Sequence, residues 1–173
     1  MSKKVLLSSD LHLTEKTYES LEIRDDSYYS LYQLVDYAIK NKAAAVFLLG
    51  DVINVRRPSS AIINFLLSQL KLLYENKIPV YAIQGQHDKA VPPWTSVQNY
   101  ATHAHNKLIT VGEHTFYLLD YLPRNELQEA IADIPPETTI FCCHQSIKEV
   151  LNYGGNDIET RSWDFELCDL PEH

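Results

Sequence analysis

The feature that most constrains this chain is an apolar run that stops at a glycine and a carboxylate, Val46-Phe47-Leu48-Leu49-Gly50-Asp51. Such a run is typical of a buried strand, and Gly-Asp at its end predicts a turn at the carboxyl edge of a sheet. Three other segments also run from apolar residues to Asp, His or both: 5–12, 80–88 and 139–144. Ligands bind at that edge in open α/β sheets. We therefore predict that the four strand ends converge on a pair of metal ions, with Asp51 between them.

The order of the patterns predicts an α/β fold that starts β-α-β-α-β. Apolar residues recur at helical spacing between Tyr28 and Lys40, and again between Ile62 and Leu73. Helical segments that alternate with buried strands predict a parallel sheet with right-handed crossovers. The 173 residues are enough for one domain with a substantial core, so a single domain over 1–173 is expected.

After Asp88 the pattern is looser, and shorter elements are expected. In chain order they are a helix within 95–105, strands over 108–111 and 115–119 that form a hairpin, a helix over 125–132 and a strand over 139–143. Ser146 is expected to cap a last helix that carries Ile147, Val150 and Leu151. From Tyr153 onward no element is predicted.

Composition bounds the partners and the compartment. The formal net charge of −8 argues against broad, nonspecific attraction to a polyanion, although bound cations would change the local field. Three cysteines are too few for a disulfide framework, which favours a reducing, cytoplasmic location. The first apolar run is too short for a signal peptide or a membrane span, so no membrane partner is expected.

The residues at the strand ends are of metal-binding types. Asp10-Leu11-His12 has two donors on the same side of the backbone, and Gln86-His87-Asp88 has an amide, an imidazole and a carboxylate in succession. Taken alone, each motif has an ordinary explanation: a surface aspartate, a turn at Gly50-Asp51, a capped loop, or a core histidine at His144. Four successive strand exits that all carry metal-compatible side chains favour a metal site instead.

At this point the chain resembles the calcineurin-like metallophosphoesterases. Their pattern is Asp-x-His, Gly-Asp, Gly-Asn-His-Asp/Glu, a lone His and a final Gly-His-x-His. Asp10-Leu11-His12, Gly50-Asp51, Gly85-Gln86-His87-Asp88 and His144 match the first four motifs in order. Ser9 before the first motif and the glutamine in the third are most similar to the SbcD-type double-strand-break repair nuclease subunits, including phage relatives. The resemblance implies a layered β-sandwich flanked by helices.

The resemblance also implies a set of metal ligands. Asp10 and His12 would hold the first metal, Asp51 would bridge both, and Gln86 and His144 would hold the second. Two divalent ions about 3.5–4 Å apart clamp a phosphate and activate a water for in-line attack. Mixed carboxylate, amide and imidazole ligands suit manganese first, with iron or zinc as alternatives.

His87 and Asp88 would be the catalytic residues. The resemblance implies that His87, oriented by Asp88, stabilises the transition state and protonates the leaving group. Gln86 stands where the family has an asparagine, so its carbonyl has to reach the metal from a different backbone position. Thr102-His103-Ala104-His105 contains another His-x-His, but it precedes the lone histidine and is expected on a helix, so we do not assign it to the metals.

The last motif of the family is missing, since no Gly-His-x-His or Gly-Asp-x-His follows His144. Each metal therefore lacks one histidine, and the C-terminal part of the domain is expected to be incomplete. A truncated or split gene, completed by another polypeptide, and a degenerate enzyme are the two explanations.

Three functions remain open at this stage. The first is a metal-dependent phosphodiesterase, a DNA exonuclease or endonuclease subunit with DNA as substrate and an ATPase as partner. The second is a nucleotide or protein phosphatase. The third is an inactive or split fragment that binds, forms a homodimer or complements a second chain. A phage-encoded protein would act in the host cytoplasm.

Overall fold

The computed structural model of this chain describes residues 4–14, 26–148 and 163–171. Its helices and strands in chain order are β1 (Val5–Ser8), α1 (Asp26–Lys40), β2 (Ala45–Leu49), α2 (Ser60–Glu75), β3 (Val80–Ile83), β4 (Thr102–His103), β5 (Lys107–Val111), β6 (His114–Leu119), α3 (Arg124–Ala132) and β7 (Ile140–Cys143). Short 3₁₀ helices lie at Trp94–Ser96 and Leu167–Asp169. The predicted β-α-β-α-β start is confirmed.

The first sheet is parallel, with the strand order β1-β2-β3-β4. Its register pairs Ser8 with Leu48 and Leu49 with Ile83, so three strands end at the same edge. Helices α1 and α2 bury the apolar faces predicted from their periodicity, which include Leu31, Val35, Leu66 and Leu70. The side chain of Ser59 caps α2 by accepting a hydrogen bond from the Ile62 N–H.

The second sheet has the order β5-β6-β7 and packs on the face of the first sheet that the helices leave free. β5 and β6 form the predicted antiparallel hairpin, and β7 runs parallel to β6. The two sheets meet at a stacked pair of rings, Phe47 and Phe116, whose centroids are 4.5 Å apart. Helix α3 covers the outer face of the second sheet through Leu127 and Ile131. The layered sandwich is therefore confirmed.

The prediction of a helix within residues 95–105 is wrong. The chain makes a single 3₁₀ turn at Trp94–Ser96 and then enters β4. Thr102 and His103 pair with Tyr81 and Ala82, and β3 is their only neighbour in the sheet among the described residues. Strand pairing satisfies the backbone groups at the edge of β3, and this tertiary gain outweighs a weak local helical preference.

Several expectations fall on the C-terminal segment. Val150 and Leu151 of the predicted last helix lie outside the described residues. Ile147 instead forms an isolated bridge with Phe165, which is 1% exposed and packs in the core beneath α3. Phe165 lies in the part of the chain for which no element was predicted. Within the described ranges, no helix combines the length and the apolar character that a membrane crossing needs.

The contact between the two sheets can be measured with a double-mutant cycle. Phe47→Leu and Phe116→Leu should each destabilise the fold, and their combination should reveal a coupling of about 0.5–1.5 kcal/mol because the rings stack. Free energies of unfolding from urea titrations provide the measurement. Leu70→Ala, in the separate core under the helices, should add to Phe47→Leu without coupling. Strict additivity of the two phenylalanine changes would contradict the described packing.

Candidate metal centre

Four strand exits meet at one edge of the sandwich. Asp10 and His12 follow β1, Asp51 follows β2, His87 follows β3 and His144 follows β7. The first two exits are joined by backbone hydrogen bonds from the Asp10 N–H to the Gly50 carbonyl (3.2 Å) and from the His12 N–H to the Asp51 carbonyl (2.9 Å). Side chains that are up to 134 positions apart in sequence, from 10 to 144, are thereby brought together, as the apolar patterns predicted.

The carboxylate of Asp51 lies at the middle of this edge and is 1% exposed. Its Oδ2 atom is 3.2 Å from Nε2 of His144. Nε2 of His12 is 3.9 Å from the same oxygen, and Nε2 of His87 is 4.0 Å from it. Its Oδ1 atom accepts the backbone N–H of His87 at 2.9 Å. Asp51 is thus the group that the other side chains surround.

The donor atoms fit a divalent cation. Ligand atoms of Asp10, His12 and Asp51 all lie within 4.8 Å of one another, a spacing at which one ion could be held. Nε2 of His144 adds an imidazole 3.9 Å from Asp10 Oδ1. Carboxylates and imidazoles together suit borderline divalent metals.

Hydrogen bonds at the far side of two rings fix their orientation. Nδ1 of His144 lies 2.8 Å from the Leu49 carbonyl, and Nδ1 of His12 lies 2.9 Å from Oδ1 of Asn54. A carbonyl oxygen only accepts, so Nδ1 of each ring is the donor in these bonds and Nε2 is left facing the carboxylates. Partners of this kind are typical behind metal-bound histidines. The sequence analysis did not single out Asn54, because in the sequence it is an isolated amide in a loop.

The backbone of the strand exits adopts the left-handed region at three non-glycine residues. The φ angles are 56° at Asp10, 48° at His12 and 50° at Asp51. Such conformations cost roughly 1–3 kcal/mol each and cluster at functional sites, where surrounding structure imposes them. Here the turn aims each side chain at the common centre.

Two glycines allow the close approach of the site residues. A Cβ atom on Gly50 would lie 2.5 Å from Nδ1 of His144. A Cβ atom on Gly85 would collide with the carboxylate of Asp51 and lie 2.6 Å from its backbone nitrogen. The glycines in the predicted motifs are therefore needed for space at the centre.

Asp88 has different partners from the one predicted. Its Oδ1 accepts the Gly85 N–H at 2.7 Å, and its Oδ2 accepts the Val52 N–H at 2.9 Å and the Trp94 indole N–H at 3.4 Å. Burial raises the pKa of Asp88, and these backbone N–H groups act in the opposite direction. The carboxylate joins the loops after β2 and β3, so its contacts do not support the expected orientation of the His87 ring.

Gln86 lies beside the centre and is exposed. It lines a largely polar cavity of about 500 Å³ together with Asp10, Tyr121 and His144. Its predicted role as a ligand stays a prediction.

The second His-x-His pair is directed elsewhere. Nε2 of His103 lies 2.8 Å from Oδ2 of Asp120, and Nδ1 of His105 accepts the backbone N–H of Asp120 at 3.0 Å. Burial lowers the pKa of His105, and the Asp120 carboxylate opposes that shift. These contacts support the sequence interpretation that the pair does not replace the missing histidines.

Gly85→Ala should weaken metal binding, because the added methyl group displaces the Asp51 carboxylate. Changes behind a metal ligand typically cost about 10–100-fold in affinity, and we expect a loss of this size for Mn²⁺ in isothermal titration calorimetry. Gly112→Ala is the control: a Cβ atom there meets open space, and the strain of its φ of 63° falls on the turn between β5 and β6. Equal Mn²⁺ affinities for the two variants would contradict the described geometry.

Comparison with known proteins identifies the family. The family model described as calcineurin-like phosphoesterase matches residues 3–170. The DNA double-strand break repair protein Mre11 of Sulfurisphaera tokodaii is 29% identical over 188 residues, covering 99% of this chain and 47% of the relative. Its counterpart in Sulfolobus acidocaldarius is also 29% identical, covering 98% and 46% respectively. That of Haloferax volcanii is 30% identical over 130 residues, covering 73% of this chain and 30% of the relative.

The chain spans less than half the length of these relatives. The family model, in contrast, matches nearly all of this chain, and the matched residues include all four strand exits described above. The chain belongs to the calcineurin-like phosphoesterase family.

Proposed function

We propose that this chain is a metal-dependent phosphodiesterase domain that hydrolyses DNA. The observation that carries the proposal is the buried Asp51 carboxylate, with imidazole Nε2 atoms at 3.2, 3.9 and 4.0 Å from one oxygen. In the proposed assignment, Asp10 and His12 hold one metal, Asp51 bridges two, and Gln86 and His144 hold the other. When bound, two divalent ions supply a clamp for the phosphate and an activated water. Manganese is the proposed metal.

His87 is proposed as the residue that acts on the leaving group. Its side chain is 45% exposed, so the ring can face a substrate, while its backbone N–H is held by Asp51. The His12 ring packs edge-on against it at 5.1 Å and limits its movement. In the protonated state its imidazolium stabilises the charge that develops on the phosphoryl oxygens and donates a proton to the departing oxygen. Asp88 is proposed to hold the loop that carries His87 through its hydrogen bonds with the Gly85 and Val52 N–H groups.

The proposed substrate is DNA because the relatives are named as double-strand break repair proteins. Two exposed cations, Arg56 and Arg57, give local support despite the net charge of −8. They follow Asn54, which contacts His12 at the centre. Cations beside a catalytic centre can contact the phosphates of a bound strand.

Further partners are proposals of the same kind. We propose an ATPase partner, and a second copy of this chain or a complementing chain as a further partner. The cytoplasmic location expected from the free cysteines stays a prediction.

Hydrolysis should depend on the centre in a residue-specific way. With Mn²⁺, the chain should hydrolyse bis-(p-nitrophenyl) phosphate and single- or double-stranded DNA. Asp51→Asn should lose both bound metal and turnover. His87→Ala should keep its metal but lose about 10²–10⁴-fold in DNA hydrolysis, the usual contribution of a proton donor.

The control for both variants is His114→Ala, at an exposed position on the hairpin. It should retain metal content and turnover. A wild-type chain that neither takes up metal nor hydrolyses any of these substrates would exclude the proposal for the chain alone. A preference for phosphate monoesters over diesters would favour the phosphatase alternative.

The two arginines test the choice of DNA. Arg56→Gln with Arg57→Gln should lower DNA hydrolysis, and each lost phosphate contact should reduce the slope of log affinity against log salt by about 0.7–0.9. Hydrolysis of the small aryl diester should not change. Lys42→Gln with Lys77→Gln removes the same charge at the opposite edge of the sheet and serves as the control. Equal losses of DNA hydrolysis in the arginine and lysine variants would show that net charge, and not contact of Arg56 and Arg57 with the DNA, determines DNA binding.

A further inference from the structure

A buried carboxylate outside the metal centre joins the two sheets at their functional edge. Asp120 follows β6 and is 6% exposed. Its Oδ1 accepts the backbone N–H of Gln84, the residue after β3, at 2.8 Å. The backbone N–H of Tyr121 donates to the Gln84 carbonyl, also at 2.8 Å. Both backbone groups of Gln84 are therefore held by the exit of β6.

Histidines of the unassigned His-x-His pair hold this carboxylate in place. Nε2 of His103 lies 3.0 and 2.8 Å from the two oxygens of Asp120. Because a carboxylate only accepts, His103 is the donor. The Asp120 N–H donates to Nδ1 of His105 at 3.0 Å. Asp120 is consequently fixed through its backbone and both carboxylate oxygens.

The residue that Asp120 holds begins the loop that carries His87. The Gln84 side chain donates to the carbonyls of Asp88 (3.1 Å) and Ala90 (3.2 Å), which closes the loop on itself. The middle of the loop is tied by the bond from the His87 N–H to Oδ1 of Asp51. A displacement of Gln84 therefore moves the loop relative to Asp51.

We propose that Asp120, held by His103, is a positioning residue for His87. It fixes the exit of β3 from the second sheet, and so sets the distance between the His87 ring and the centre at Asp51. This inference rests on the proposed function, since His87 is taken as the proton donor to the leaving group. Displacement of a catalytic group by about 1 Å can cost around 10²-fold in rate.

The leaving group provides a readout that loss of stability would not imitate. p-Nitrophenolate departs with little need of a proton, whereas the sugar oxygen of DNA needs one. Asp120→Leu should therefore lower hydrolysis of DNA about 10–100-fold while that of bis-(p-nitrophenyl) phosphate falls less than about threefold. Mn²⁺ at Asp10, His12 and Asp51, which lie outside this loop, should stay bound. Asp120→Asn keeps an acceptor for the Gln84 N–H and should restore much of the DNA activity.

Two further variants keep the test decisive. His103→Ala, at a partly exposed site, replaces Asp120→Leu in the test if that variant does not fold. It should lower the ratio of DNA hydrolysis to hydrolysis of bis-(p-nitrophenyl) phosphate in the same way. Ile131→Ala lowers stability from the buried face of α3 without touching the loop, so it should leave the ratio unchanged. In the background of His87→Ala, Asp120→Leu should not change the ratio further. Equal losses on both substrates, or none, would overturn the proposal.

Amide hydrogen exchange separates this inference from the proposed function. In Asp120→Leu or His103→Ala, protection should fall at the N–H groups of Gly85 and His87 and persist at Leu48 within β2. This result requires no turnover. A wild-type chain without hydrolysis would refute the proposed function alone, whereas unchanged protection at Gly85 and His87 would refute the positioning role of Asp120.

Discussion

The buried carboxylate of Asp51 is the group on which the arrangement of the strand ends depends. A carboxylate that is 1% exposed must be compensated by donors or cations, because its hydration is lost. One oxygen accepts the His87 N–H, while the other faces imidazole nitrogens across 3.2–4.0 Å. Gly85 leaves room for the carboxylate, and the left-handed turn at Asp51 directs it inward. The local strain of the loops is thus explained by one charge that has to be placed and compensated.

The sandwich provides what a single parallel sheet could not. The first sheet supplies Asp10, His12, Asp51 and His87, and the second supplies His144 from β7. Packing of Phe47 on Phe116 fixes the distance between the two sheets, and hydrogen bonds between their exits fix it again at the functional edge. Core packing and site geometry are therefore parts of the same constraint, since a shift of one sheet would move His144 away from Asp10 and Asp51.

The sequence allowed prediction of those features that local pattern determines. Apolar runs located the strands, helical spacing located α1 and α2, and motif order predicted that Asp10, His12, Asp51 and His144 would lie together. What it could not supply were partners chosen by the tertiary fold. Asn54 behind His12 and Asp120 behind the β3 exit are single polar residues without a periodic or motif signal. The adjacency of His87 and Asp88 suggested a pair, but the turn directs the carboxylate toward Gly85 and Val52.

The charge of the chain bears on how a polyanionic substrate can be bound at all. With a net charge of −8, and carboxylates of Asp10 and Asp51 in the centre, the metal-free protein repels phosphate at the very place where chemistry is proposed. Two bound divalent ions would reverse the sign of the local charge. Their combined charge is larger than that of any single side chain. Affinity for phosphodiesters should therefore be linked to metal loading. Attraction is then confined to the loaded centre and nearby cations such as Arg56 and Arg57, so geometry at the strand ends, more than overall charge, selects the substrate.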